Sequence, residues 1–93
     1  MITHCYLYRL KAGVNPADAA DRLLSMKEHI PSLASLEVGI NFSKAENAFD
    51  LVQISRFETE EDFDAFSRHP YHQSLRTYFG QAAAETAKAD YYG

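Results

Sequence analysis

The chain has 93 residues, of which 13 are acidic and 9 basic, so its formal net charge is −4. A chain of this length builds one domain, and we treat residues 1–93 as that domain. The acidic balance and the lack of neighbouring lysines or arginines argue against nucleic-acid binding, because a phosphate backbone would be repelled.

The first predicted element is a strand from Ile2 to Lys11, because its residues alternate in character with a period of two. One face carries Ile2, His4, Tyr6, Tyr8 and Leu10, and the other carries Thr3, Cys5, Leu7 and Arg9. Both faces therefore have apolar content, and His4 shares its face with two tyrosines.

A helix is predicted next, from about Pro16 to His29. Asn15 can cap its first turn, and proline is favoured at the first helical position. Apolar residues recur at helical spacing along it, and Pro31 ends it.

Alternation returns between Leu33 and Phe42 and again between Phe49 and Phe57, with a polar loop between them, which predicts a hairpin. Thr59 can then cap a second helix that runs through Arg68.

Pro70 breaks this helix, and the stretch YHQSLRTYFG predicts another helical segment that ends at Gly80. The alanine-rich tail has helical propensity but alternates weakly near its end, so we predict a short strand from about Thr86 to Tyr92.

The order strand, helix, strand, strand, helix, strand predicts an α+β fold of the ferredoxin-like βαββαβ type. Its four-stranded antiparallel sheet would have both helices on one face. The other face would still offer apolar residues such as Cys5, Leu7, Val52 and Ile54, and the chain is too short to supply a third layer. A second copy of the chain is the simplest cover, so we predict a homodimer joined through the sheet.

Several stretches together resemble the stress-responsive dimeric α/β-barrel (Dabb) family. They are MITHCYLYRLKAGV, HIPSLASLEVGINFS, FDLVQISRFETEEDFDAFSRHPYH and the closing DYY. The resemblance implies a ferredoxin-like protomer and a dimeric α/β barrel. Most members of the family have no established reaction, so it implies a stress-associated or small-molecule-binding protein with a histidine-lined apolar pocket.

One plant member of the family cyclises a linear polyketide without a cofactor, and this resemblance implies an alternative function. By that resemblance, His72 would be a general base and His4 would lie in the same pocket, in a cofactor-free lyase or cyclase acting on a small carbonyl compound. The tyrosine that assists the base in that enzyme corresponds to Phe66 here. The lost hydroxyl predicts that this chain cyclises that polyketide poorly.

The residues alone allow a pocket around His72, and the resemblance supports one. Pro70 lets a helix restart with His72 in its first turn, where the helix dipole disfavours the imidazolium form. If His4 lies under the helices, the two histidines converge, and Tyr6, Tyr8, Phe66 and Tyr71 become candidate pocket-lining residues. The alternative is that both histidines are structural, each bonded to a plain backbone or side-chain partner.

The remaining histidines and the cysteine give no indication of a functional site. His69 precedes a proline and is expected to cap the helix, and Pro70 spoils a metal site that would combine His69 with His72. His29 is expected to be a surface capping residue. The single cysteine, Cys5, excludes a disulfide framework and a thiolate zinc cluster. We therefore expect no metal and no cofactor.

The chain opens without the features of a signal peptide, and no apolar run is long enough to span a membrane. A cytoplasmic protein without a membrane partner is the expectation.

Overall fold

The computed structural model describes residues 1–93 and confirms the predicted ferredoxin-like order of elements. The strands are β1 (Ile2–Leu10), β2 (Ser35–Ile40), β3 (Leu51–Phe57) and β4 (Ala83–Tyr92). The helices are α1 (Pro16–Leu24), α2 (Met26–His29), α3 (Glu60–Arg68) and α4 (Pro70–Ala82). The strands form one antiparallel sheet in the order β2-β3-β1-β4, so the first and third strands lie at its centre.

The first helical segment begins as predicted, but it is not one continuous helix. The Asn15 side chain accepts hydrogen bonds from the backbone N–H groups of Ala17 and Asp18, and Pro16 fills the first helical position. Ser25 separates α1 from α2. Its hydroxyl donates to the carbonyl of Arg22, and this local bond competes with helix continuation.

The β2–β3 hairpin is confirmed, although both strands are shorter than predicted. The prediction extended the second strand to Phe42, but β2 ends at Ile40 and Phe42 is 96% exposed. The Asn41 side chain bonds both the N–H and the carbonyl of Ser43, which turns the chain away from the ladder.

The break between the third and fourth helices lies at His69, which has extended backbone angles as expected before a proline. The fourth helix ends at Ala82 rather than at Gly80, because Gly80 does not adopt the left-handed conformation that would terminate it. The final strand consequently begins at Ala83, three residues earlier than predicted.

The core lies between the helices and one face of the sheet. Its most deeply buried large side chains include Leu23, Met26, Ile30, Phe57 and Phe66. The pairing register places His4, Tyr6 and Tyr8 of β1 opposite Ser55, Gln53 and Leu51 of β3. These paired residues therefore share the face that lies toward the helices.

The opposite face of the sheet, which we call the outer face, has no layer packed on it within the chain. Its centre is formed by Cys5, Leu7, Val52, Ile54 and Ala89, which the strand register brings side by side. None of the helices is long and apolar enough to cross a membrane.

Candidate functional site

A cavity of about 360 Å³ lies between the sheet and the helices, on the face that carries His4 and His72. Its apolar wall includes Leu23, Met26, Phe63, Phe66, Leu75 and Phe79. Tyr6 and Tyr8 also line it, so the first strand supplies three ring side chains to one enclosure. The volume falls at the small end of the range of ligand pockets.

His4 lies on the floor of this cavity and is only 6% exposed. Its Nδ1 atom is hydrogen-bonded to Oδ1 of Asp90, the residue directly opposite it in the β1–β4 ladder. The His4 ring packs at centroid distances of 5.3 Å from Phe63 and 5.6 Å from Tyr6. The imidazole is thus fixed by a carboxylate on one side and by aromatic rings around it.

Asp90 keeps its negative charge in this position. Burial alone would raise the pKa of the Asp90 carboxyl, but the hydrogen bond and charge of His4, assisted by Lys88, outweigh it and hold the pKa below its ordinary value. The Lys88 ammonium lies 3.5 Å from the other carboxylate oxygen. Asp90 is therefore a permanent acceptor for His4.

His72 lies in the first turn of α4 and packs against Phe66, with ring centroids 4.4 Å apart. Its Nδ1 is 3.2 Å from the carbonyl oxygen of Ser67. Burial lowers the pKa of His72, and the positive charge of Arg76 adds to this effect, while the Ser67 hydrogen bond opposes it. The ring is therefore biased toward its neutral form.

The partners of the two histidines determine which nitrogen faces a ligand. Carboxylate and carbonyl oxygens only accept, so Nδ1 carries the proton in both rings. Neither Nε2 atom has a hydrogen-bond partner in the protein. In a neutral ring of this tautomer, Nε2 carries a lone pair. The cavity therefore presents a proton acceptor at His72, and a second imidazole lies beside it at His4.

A buried polar chain runs beside the histidines. The Tyr8 hydroxyl donates to the Gln53 side-chain carbonyl at 2.7 Å, and the Gln53 amide donates to the Ser55 hydroxyl at 2.8 Å. Burial, with a smaller contribution from Tyr6, raises the pKa of the Tyr8 hydroxyl. Tyr8 therefore stays protonated and is committed to Gln53.

Of the tyrosines Tyr6 and Tyr71, only Tyr6 lines the cavity. The Tyr6 hydroxyl makes only a long contact of 3.4 Å with Thr86, which leaves it available at the cavity. The structure does not place Tyr71 in the cavity, contrary to expectation. Its hydroxyl bonds Ser25, and its ring stacks on His29 at 4.0 Å.

The remaining predicted residues lie outside the cavity. His69 caps α4 through Nδ1, which accepts the N–H of Tyr71 at 3.1 Å. His29 is exposed, and its Nδ1 bonds the Ser25 carbonyl. The structure contains no group of three histidine, cysteine, aspartate or glutamate residues that could hold a metal ion.

Sequence reasoning missed Asp90 and Gln53 as parts of the site. The signal for Asp90 was its place in the closing DYY stretch, which required the register of the last strand to be interpreted. Gln53 was marked only by its position among apolar residues on an alternating strand.

A sequence profile described as Stress responsive A/B Barrel Domain (Dabb) matches residues 2–92. No curated protein shows significant sequence similarity to the chain.

Solved structures share the fold. A dimeric ferredoxin-like protein of unknown function from Thermobifida fusca has a TM-score of 0.86 at 21% identity, covering 99% of this chain and 90% of that one. A dimeric protein of unknown function from Bacteroides fragilis has a TM-score of 0.84 at 19% identity, covering 99% and 95%. The hydroxynitrile lyase from Passiflora edulis has a TM-score of 0.85 at 16% identity, covering 97% and 90%. At these identities, the likeness shows the fold alone.

We predict that His72 titrates below 6.5, its ordinary value, and that Arg76→Gln moves the pKa partly back because burial persists. Two-dimensional proton–nitrogen NMR of the imidazole groups across a pH series measures both values. A pKa for His72 at or above 6.5 would contradict the burial that the structure gives it.

The lowered pKa of His72 also makes the free energy of unfolding depend on pH. The unfolded chain binds a proton at His72 at a higher pH than the folded chain, so the free energy of unfolding falls as the pH drops below about 6.5 toward the folded pKa. In the His72→Gln variant, this part of the pH dependence should be absent from urea unfolding curves.

Proposed function

The chain belongs to the stress-responsive A/B barrel (Dabb) family, and we propose that it is a homodimer that binds a small, mostly apolar molecule in its histidine-lined cavity. The observation that carries the proposal is the enclosure of two imidazoles, each with a free Nε2, by aromatic and aliphatic side chains. A cavity that is mainly apolar with a few directed polar atoms is the usual form of a small-molecule site.

The uncovered outer face supports the homodimer. Leu7, Val52 and Ile54 are adjacent in the ladder and only half-buried within one chain. A contiguous apolar surface in the middle of a sheet favours burial against another surface. The relatives from Thermobifida fusca and Bacteroides fragilis are both described as dimeric, and the outer face is the surface that a second copy would cover.

The shape of the cavity supports ligand binding. Gly80 lines it from α4, and a β-carbon added at this position would meet no atom within 4 Å. Glycine inside a helix costs about 1 kcal/mol relative to alanine. Gly80 is exposed, so the missing side chain leaves the cavity open at this edge rather than relieving a clash.

A second candidate function is a cofactor-free lyase or cyclase, and the His4–Asp90 pair is the observation that favours it. A carboxylate that holds a histidine in one tautomer is a common support for acid–base catalysis. His72 would take a proton from a carbon next to a carbonyl, and the Tyr6 hydroxyl would donate a hydrogen bond to the carbonyl oxygen. Phe66 offers His72 no hydroxyl, so the oxygen partner would have to come from the first strand.

We expect a particle of twice the 10.5 kDa chain mass in light scattering coupled to gel filtration at micromolar concentration. Ile54→Glu should shift it toward the monomer, because the new charge would be desolvated at the centre of the outer face. Leu24→Glu is the matched control, since Leu24 is an exposed leucine on α1, and it should stay dimeric. A monomeric wild-type chain that unfolds cooperatively would overturn the dimer.

Ligand binding is tested with Gly80→Phe, which should obstruct the open edge of the cavity and abolish binding of small aromatic ketones and carboxylates in native mass spectrometry and thermal-shift screens. Gly80→Ala is the matched control. It removes the same glycine with a larger gain in helix propensity and little added volume, so its binding should persist and its melting temperature should not fall. Equal ligand binding by Gly80→Phe and the wild type would place the ligands outside the cavity.

The same screen separates the two candidate functions. Deuterium uptake next to the carbonyl of a bound ketone, lost in His72→Gln, would identify the lyase or cyclase. If ketones bind but none of them takes up deuterium next to its carbonyl, the result would support a binding protein without catalytic activity.

A further inference from the structure

The charged side chains that line the cavity have the opposite sign to the net charge of the chain. The chain carries a net charge of −4, yet the charged side chains that line the cavity are two cations, Arg76 and Lys88, with no carboxylate among the lining residues. The neighbouring carboxylate, Asp90, is already bonded to His4 and lies near Lys88. The cavity is therefore locally positive in an acidic protein.

Arg76 is the less satisfied of the two cations. It lies on α4 one turn after His72, so the two side chains share a side of the helix. None of the ion pairs or side-chain hydrogen bonds in the protein includes its guanidinium. Arg9, by contrast, donates to Glu85 at 2.9 Å and to the Ala48 carbonyl at 2.8 Å. Arg76 is exposed, so its five donors face water and can exchange it for an acceptor that enters the cavity.

The structure assigns to this cavity a ligand that combines an apolar body with a carboxylate, and it assigns to Arg76 the selection of that carboxylate. This inference rests on the proposed ligand-binding function. Arginine suits the role because its planar fork binds both oxygens of a carboxylate at once. The apolar body lies against Phe63, Phe66 and Phe79, and Lys88 supplies a second, weaker attraction because Asp90 partly neutralises it.

This arrangement couples the ligand charge to the neighbouring histidine. The Arg76 charge disfavours the imidazolium form of His72 in the free protein. A carboxylate bound at Arg76 cancels part of that repulsion. Binding of a carboxylate should raise the pKa of His72, whereas binding of a neutral ligand of the same shape should not, because neutral ligands add only burial.

The test compares 4-phenylbutanoate with 4-phenylbutanamide, which have the same size and differ in charge. Calorimetry at about 50 mM NaCl should show the carboxylate binding about two- to fivefold more tightly, the range expected for a partly exposed ion pair. The advantage should shrink at about 500 mM NaCl because salt screens the pair. NMR should show the His72 pKa rising with the carboxylate alone.

Variants identify the residue responsible. Arg76→Gln should make the two probes bind equally by weakening only the carboxylate, and Lys88→Gln should weaken it less. Arg68→Gln removes an arginine that does not line the cavity and should leave the preference unchanged. A preference that survives Arg76→Gln, or that Arg68→Gln removes equally, would overturn the assignment.

The outcomes also separate this inference from the proposed function. If both probes bind with equal affinity and Gly80→Phe abolishes both, the cavity is a ligand site but the carboxylate selection is wrong. If neither probe binds although ligands of the screen do, the carboxylate selection is wrong and the proposed function stands. If Gly80→Phe leaves the binding of all these ligands unchanged, both the selection and the proposed function are contradicted.

Discussion

The hydrogen bond between His4 and Asp90 is the interaction on which the geometry of the cavity depends. The two residues are paired across β1 and β4, at the first and last strands of the chain. The register of the β1–β4 ladder brings the two side chains together, and their bond then orients the His4 ring and occupies the carboxylate. The same ladder pairs Tyr6 with Lys88, which places both at the cavity wall beside His4.

A second constraint comes from the break between α3 and α4. His69 and Pro70 end one helix and start the next, and at this turn the Ser67 carbonyl accepts from both the Gln73 amide and His72. The two histidines of the cavity are therefore positioned by different means, one by a strand partner and one by a helix break. Both means leave Nε2 free.

Much of the fold could be predicted from the sequence because its signals are local. The alternation of the first strand assigned His4, Tyr6 and Tyr8 to one face, and Asn15, Thr59 and Pro70 marked helix starts. The helix break at Ser25 was harder to predict, because a serine interrupts a helix only when a local hydrogen bond competes with the helical one. Here the Ser25 hydroxyl bonds the Arg22 carbonyl and also contacts the Tyr71 hydroxyl.

The composition of the site depended on contacts between distant residues. Asp90 meets His4 only through the register of a strand whose alternation is weak in sequence. Tyr71 and His72 both follow Pro70, and successive helical residues point about 100° apart, so only one could face the cavity. Periodicity cannot say which one, because the position of α4 over the sheet decides it.

The histidine tautomers have a consequence for chemistry. A ring that donates from Nδ1 to a fixed acceptor offers its other nitrogen without rearrangement, and such preorganisation favours both tight recognition and proton transfer. Tyr8 does not share this freedom, because its hydroxyl is held by Gln53. The available polar atoms of the cavity are thus the histidine Nε2 atoms, the Tyr6 hydroxyl and the cations at the wall.

The most direct measurement of the central claim is long-range proton–nitrogen NMR of the imidazole rings near neutral pH. The account predicts a proton on Nδ1 of both His4 and His72, with the nitrogen shift of an unprotonated Nε2 in His72. A proton on Nε2 and none on Nδ1 in either ring would contradict it, because Asp90 or Ser67 would then not be the partner that directs that ring into the cavity.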